Sequence, residues 1–314
     1  MMFLSSLLLN PTQAVFQSEP ALLTNKQFSV KAARSQRLAN SKLAYPKYRI
    51  VEMLNEGSFG EVFLCRHNAR KLTVAKVSDA NRQPHVFYNE VAMLRMFAHR
   101  NIVQVHEAFE FDSNLWLILE YMDGGDLRAL CELPGLWTEP LLAYVVRQVL
   151  IALEFLHHRH VLHRDIKPDN ILWDGKGNVK LGDFGFATML TTEHFKHRGN
   201  MGTQGYRAPE LVANKEYDCQ VDIWSLGVSA VELLEGERQM WWDSGKACHS
   251  LPKRLFNDHL ASKALEEFVR AMLKRDPSHR ATARQLLEHR FMANKSLVKK
   301  KHFAEFALRE KHVW

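Results

Sequence analysis

His163-Arg164-Asp165-Ile166-Lys167-Pro168-Asp169-Asn170, followed after a Gly175/Gly177 hairpin turn by Asp183-Phe184-Gly185, is the stretch on which the fold turns. It sets three carboxylates, an amide and an ammonium group at short spacings, oxygen donors suited to a hard cation beside a charge suited to phosphate. Working outward, Ala208-Pro209-Glu210, Asp222-Ile223-Trp224-Ser225-Leu226-Gly227 and Arg280 follow in order. Upstream stands Leu54-Asn55-Glu56-Gly57-Ser58-Phe59-Gly60-Glu61-Val62, where glycines between two β-type runs let the backbone lie close over phosphate oxygens. Taken alone, that segment reads equally as a glycine-bearing β-turn. Lys76, at the end of the next strand, can neutralise phosphate charge, and Glu90 on the following helix can hold its ammonium; in isolation such a pair is usually solvated. Phosphoryl transfer requires metal ligands, a phosphate-neutralising cation and a carboxylate that orients the attacking hydroxyl, and the ordered set supplies all three.

In this order the motifs resemble the eukaryotic protein kinase family over roughly residues 48–292. The resemblance implies an α+β, bilobal protein-kinase fold: a small β-rich N-lobe with one main helix (about 48–119), a hinge at 120–126 and a larger α-helical C-lobe at 127–292. It also implies ATP and Mg²⁺ as cofactors. Asp165 then stands as the catalytic base, Lys167 steadies the transferring phosphoryl group, and Asn170 and Asp183 hold Mg²⁺. Thr203 bridges Asp165 and Lys167. Lys76 contacts the α- and β-phosphates and pairs with Glu90. The loop Leu54, Asn55, Glu56, Gly57, Ser58, Phe59, Gly60 covers the nucleotide. Leu54, Val62 and Val74 roof the adenine, Leu172 forms its floor, and Leu119 is the gatekeeper. Glu120 to Met122 form the hinge that reads adenine, and Asp126 reaches the ribose. Glu210 and Arg280 resemble a buried ion pair bracing the activation segment.

Ile166-Lys167-Pro168 and Gly202-Thr203 resemble the serine/threonine branch. Within it the text is similar to the Sterile-20 group and its PAK-like catalytic domains: Gln83-Pro84, Asn89-Glu90, Ala152-Leu153-Glu154-Phe155-Leu156-His157, Val179-Lys180-Leu181, Asp183-Phe184-Gly185-Phe186 and Val221-Asp222-Ile223-Trp224-Ser225-Leu226-Gly227. Departures are Asn55 at the first glycine of the loop, Val74 where alanine is usual, and Gln204-Gly205-Tyr206-Arg207 in place of a Trp-containing stretch. Arg164 resembles the arginine that receives an activation-loop phosphate, yet the corresponding acceptor position falls on Gly199, which has no hydroxyl; Thr191 and Thr192 are the weaker alternatives. Asp169 and Glu232 resemble the carboxylates that take an arginine two residues before the acceptor. The resemblance thus implies protein substrates with serine or threonine acceptors preceded by arginine or lysine. A pseudokinase scaffold is the alternative, disfavoured by retention of Lys76, Glu90, Asp165, Asn170 and Asp183.

Composition bounds the rest. The 314 residues are 46% hydrophobic and 25% charged, ordinary for a globular chain, and no uninterrupted apolar run reaches membrane-spanning length. The net charge of +7 sits in the tails: residues 1–45 carry +4 and residues 290–314 carry +5, leaving 46–289 at −2. A nucleic-acid platform on the body is therefore not expected, whereas a tail can touch an anionic surface. Residues 1–45 read as a disordered basic leader; a targeting segment remains an alternative for the apolar start, and no small-GTPase-binding motif is visible there. Residues 293–314 read as a basic tail with helical character, packed on the large lobe or engaging a membrane surface. Cys65, Cys131, Cys219 and Cys248 lie far apart without metal spacing, which fits a reduced, cytoplasmic or nuclear compartment. His157, His158, His160 and His163 resemble a metal cluster but read better as structural and surface residues, and Trp241-Trp242 reads as packing rather than docking.

Overall fold

The computed structural model describes residues 47–57, 60–67, 71–131, 137–191, 196–235, 261–293 and 300–311. Expectations placed on residues 1–45, Ser58, Phe59, Thr192, Trp241, Trp242 and Cys248 lie outside the described residues.

The small lobe is a five-stranded antiparallel sheet of β1 (Tyr48–Gly57), β2 (Gly60–His67), β3 (Lys71–Asp79), β4 (Val105–Phe111) and β5 (Asn114–Glu120), ordered β1-β2-β3-β5-β4. Helix α1 (Pro84–Met96) starts where Gln83 adopts a left-handed backbone (φ 51°) and Pro84 takes the first turn, a position that needs no amide hydrogen. Its buried face is Phe87, Glu90, Val91 and Leu94, three apolar residues and one acid. Strand β4 is not evident in the hydropathy pattern. Its text, Val-His-Glu-Ala-Phe-Glu-Phe, is an edge strand rich in polar residues, held by pairing with β5 through a tight turn in which Asp112 and Ser113 both take positive φ.

Glycines and short strands then lead into helical packing. The connection passes through β6 (Gly125–Asp126) and α2 (Arg128–Cys131) to α3 (Glu139–His157), β7 (Val161–Leu162), β8 (Ile171–Trp173), β9 (Val179–Leu181) and β10 (Thr188–Met189). Helices α4 (Pro209–Val212), α5 (Gln220–Glu235), α6 (Lys263–Met272), α7 (Ala283–Leu287) and α8 (Lys300–Lys311) complete the large lobe. Helix α3 has the length and hydropathy of a membrane span, but Leu142, Val145, Val149, Leu150, Leu153 and Leu156 are buried in the core. Ser262 caps α6 and Thr282 caps α7 in a reciprocal box with Gln285, so both helices start where the sequence signals it.

Helix α8 packs on the large lobe. Phe303 is fully buried, stacked on Tyr144 with ring centres 5.3 Å apart and edge-on to Trp173 at 5.9 Å. On its other side Trp173 leaves no room for a side chain at Gly124, where a Cβ would lie 2.2 Å from the indole. Trp173 is thereby wedged between the hinge and the C-terminal helix. The described cysteines Cys65, Cys131 and Cys219 are free thiols.

Candidate active site

Strand register gathers the residues expected around a nucleotide. Val62 pairs with Lys76 and with Asn55, and Val74 pairs with Leu119. Because side chains alternate, Val62, Val74, Lys76 and Leu119 share one face of the sheet. Asp126 pairs with Leu172 at the start of the large lobe, so Leu172 lies across the cleft from that face. Leu54, Asn55, Glu56 and Gly57 form the exposed end of β1, and Met122 is buried just past β5. Gly60 needs to be glycine: its φ is +137°, and a Cβ would lie 2.2 Å from the Val77 carbonyl oxygen. Glu120 is tied to both lobes, its amide donating to the Gln104 carbonyl and its carboxylate accepting from Lys180 Nζ of β9 at 2.5 Å. Asp126 Oδ1 accepts the Arg128 amide at 2.9 Å, and burial together with Asp169 raises its carboxyl above the usual range.

The charged centre spans both lobes. Lys76 Nζ donates to Glu90 Oε2 at 2.7 Å and to Asp183 Oδ1 at 2.9 Å. Burial works against the ammonium, but Asp183 and Glu90 outweigh it and hold Lys76 above its ordinary range. Burial likewise opposes ionisation of Asp183, yet Lys76 keeps its carboxyl below the usual range. Asn89, one residue before Glu90, donates to the carbonyls of Gly185 at 3.1 Å and Ala187 at 2.9 Å. Helix α1 is therefore clamped to the segment after Asp183 by a residue whose role the sequence did not disclose, although its side chain falls next to the one buried acid of the helix.

Asp165 is held from several sides. Its Oδ1 accepts from the Thr203 hydroxyl at 2.6 Å and the Thr203 amide at 2.9 Å, and its Oδ2 accepts from Asn170 Nδ2 at 2.8 Å with Lys167 Nζ 3.0 Å away. Lys167 Nζ also donates to Thr203 Oγ1 at 2.7 Å, so Thr203 stands between the two. With its amide nitrogen committed to Asp165, Asn170 has its Oδ1 for a cation, and Asp183 adds carboxylate oxygen; this hard-oxygen pair fits Mg²⁺, the remaining ligands coming from phosphate and water. Arg164 (φ 67°) and Asp183 (φ 57°) both sit in the left-handed region, uncommon for such residues and typical of functional turns.

The loop carrying Asp165 hangs on Asp222. This buried carboxylate accepts the amides of His163 at 2.9 Å and Arg164 at 2.8 Å and the His157 ring at 2.9 Å. Burial opposes its ionisation, but His157 holds its carboxyl below the usual range. His163 Nε2 donates to the Gly182 carbonyl and its Nδ1 accepts the Asp165 amide, while burial lowers its pKa. Both His157 and His163 thus have structural partners, and among the described residues no group of three or more His, Cys, Asp or Glu side chains is arranged to hold a metal. Glu210 and Arg280 form a buried bidentate pair at 2.7 and 3.0 Å.

Two further groupings were not foreseen. Asp169 and Glu232 converge as expected, but on Arg128 of the same chain, which donates to Asp169 Oδ2 at 2.8 Å and to Glu232. Tyr206, in the stretch that departs from the Sterile-20 pattern, donates to Glu232 at 2.5 Å. Arg164 donates to the Phe186 carbonyl at 2.6 Å and to Tyr217 Oη at 3.2 Å, and its Nη1 lies 3.4 Å from His197 Nε2.

A five-stranded small lobe over a helical large lobe, with a lysine–glutamate pair facing two aspartates across the cleft, is the architecture of a protein kinase. The protein kinase domain family matches residues 48–292, and the chain belongs to that family. Its relatives include the serine/threonine-protein kinase CLA4 of Candida albicans, 36% identical over 276 residues, and human serine/threonine-protein kinase PAK 4, 37% identical over 248 residues. The pakA kinase of Talaromyces marneffei is 33% identical over 292 residues. These alignments cover 84%, 76% and 90% of this chain but 28%, 42% and 45% of the relatives, so the chain spans less than half of their length.

Proposed function

We propose that the protein transfers the γ-phosphoryl group of ATP to serine or threonine hydroxyls of proteins. The observation that carries this reading is the convergence of Lys76 on Glu90 and Asp183, which joins the lobes across the cleft. Lys76 binds the α- and β-phosphates, with Glu90 fixing its ammonium. Asn170 and Asp183 hold Mg²⁺, which when bound neutralises charge developing on the phosphate oxygens. Asp165 orients the acceptor hydroxyl and takes its proton; Thr203 and Asn170 fix its carboxylate, and Lys167 stands where it can meet the transferring group. Val62, Val74, Leu119 and Leu172 enclose the adenine, the Glu120 to Met122 backbone reads its edge, and Asp126 reaches the ribose. A cytoplasmic setting suits the free thiols.

The expected taste for upstream arginine or lysine rests on Asp169 and Glu232. Both already answer an arginine of the chain itself, so the unmodified pair gives no ready site for a substrate guanidinium.

Transfer of labelled phosphate to a generic protein by wild type and by Asp165→Asn tests the main reading. Transfer by the wild type, reduced by orders of magnitude in the variant, supports it. Equal incorporation by both, or none by a folded wild type with ATP and Mg²⁺, refutes it; nucleotide binding without transfer marks the pseudokinase alternative.

A further inference from the structure

We propose that Arg128 is a specificity-determining residue: it occupies the carboxylate pair Asp169/Glu232 in place of a substrate arginine, and so removes upstream-arginine preference from this enzyme. The inference rests on the kinase reading above.

The placement of Arg128 is fixed by its backbone. Its amide donates to Asp126 Oδ1, and the preceding Leu127 amide donates to the carbonyls of Pro168 at 3.1 Å and Ile171 at 3.0 Å. The first residue of α2 is thus held directly against the turn Pro168–Asn170. From there the guanidinium forks, one nitrogen meeting Asp169 and the other Glu232. The nitrogen that meets Asp169, Nη2, also donates to Tyr206 Oη at 2.5 Å. Glu232 is 4% exposed, with Oε1 taken by Arg128 and Oε2 by Tyr206, so both its oxygens are committed. A fork of this kind is worth more than a point-charge contact and leaves little for a second guanidinium.

The cluster also stands beside the acceptor position. Asp169 adjoins Asn170, which donates to Asp165, and the Tyr206 amide donates to the carbonyl of Thr203, whose hydroxyl donates to Asp165. A peptide whose hydroxyl meets Asp165 therefore passes Arg128 within a few residues, at about 3.3–3.6 Å per extended residue. Arg128, Asp169 and Glu232 together carry one net negative charge; without Arg128 they carry two, one of them buried. A buried carboxylate stripped of its partner is a strong binding site for an incoming guanidinium. A purely structural clasp joining α2, the turn and α5 would cost stability when removed, but would not create a preference.

The test uses the full chain as wild type, Arg128→Gln, Arg128→Lys and Arg128→Gln/Glu232→Gln, with peptides that place arginine or glutamine at each upstream position in turn. Two readouts are taken: kcat/KM, and peptide binding by fluorescence anisotropy without nucleotide. The wild-type arginine-to-glutamine ratio should stay near one at every position. Arg128→Gln should raise it about tenfold or more at one position, the scale of a regained charge-assisted hydrogen bond, and the double variant should lose that gain. A wild type that already prefers arginine tenfold, an Arg128→Gln profile like the wild type, or a gain that survives in the double variant each overturns the proposal. Should Arg128→Gln fail to fold by circular dichroism, Arg128→Lys decides: its single ammonium cannot fork across both carboxylates, so a partial gain is expected and none overturns the role. If the wild type transfers no phosphate to any peptide, the kinase reading alone fails, and the binding ratio still decides the role of Arg128.

Discussion

At Gly202 (φ +93°) an added Cβ would lie 2.3 Å from the carbonyl oxygen of Arg164, so the segment before Thr203 touches the Asp165 loop backbone to backbone. Thr203 follows directly and supplies two of the hydrogen bonds that fix Asp165. Gly202→Ala must therefore push Thr203 outward, and a displacement of about 1 Å at a reacting group costs roughly 10²-fold in rate. We expect kcat to fall by about that factor while ATP affinity stays near wild type, because Lys76, Glu90 and Asp183 are untouched. Steady-state kinetics with ATP titration checks this; an unchanged kcat would show that the contact is not what positions Thr203. Lys76→Met acts on the other side of the cleft. It removes the cation bridging Glu90 and Asp183 but little volume, so turnover should drop on the order of 10²–10³ in a protein with a normal circular dichroism spectrum. Near-normal turnover would refute the phosphate-binding role of Lys76.

Among the elements, the activation segment and α8 make contacts that the sequence did not specify. Arg164 resembles a phosphate receiver, but in the unmodified chain its guanidinium already reaches the Phe186 carbonyl and Tyr217, with the His197 ring alongside, and Gly199 offers no hydroxyl. The Arg164 guanidinium is thus already engaged in the unmodified chain. Phosphatase treatment, with mass spectrometry to verify removal of any phosphate, should leave most of the activity; its complete loss would show that a modified residue is required. The helix α8 was legible only as a basic, amphipathic stretch, because neither periodicity nor charge says which surface covers Phe303. That surface is Tyr144 and Trp173. Phe303→Ala should cost about 3–5 kcal/mol of stability. Since Trp173 also abuts Gly124 in the hinge, the same variant should weaken ATP binding; denaturant melts and nucleotide titration measure the two effects. Wild-type values in both would mean that α8 is not part of the packed lobe.

Over the whole molecule, what the sequence disclosed was local in chemistry and ordered along the chain. Asp165, Asn170, Asp183, Lys76 and Glu90 could be named because the motifs that carry them stand in an order that resembles the protein kinase family. Strand β4 and the Arg128 fork were not legible, since an edge strand with polar residues has no distinctive period and a partner more than a hundred positions away in sequence leaves no trace in spacing. Acid sensitivity is a property of the same scale. His163 lies at the centre, bonded to the Gly182 carbonyl and the Asp165 amide, and burial holds its pKa below the ordinary value. Burial is also the leading cause of a lowered pKa at His99, His106, His197 and His289. A histidine lowered in the fold binds fewer protons than in the unfolded chain between the two pKa values, so stability rises with pH across that window. The contribution is fully present above about pH 6.5, the ordinary histidine value, and is lost as the pH falls through the lower folded values. Asp222 adds a second loss further down: its depressed carboxyl stabilises the fold above the ordinary carboxylate range and ceases to do so as the pH falls through its folded pKa. Urea midpoints should therefore hold between pH 7.5 and about pH 6.5 and decline from there to pH 4.5, and His163→Asn, which removes one titrating group, should make the decline between pH 6.5 and pH 5 shallower. A midpoint independent of pH in the wild type would contradict the lowered histidines as a group, and an unchanged slope in His163→Asn would contradict the share assigned to His163.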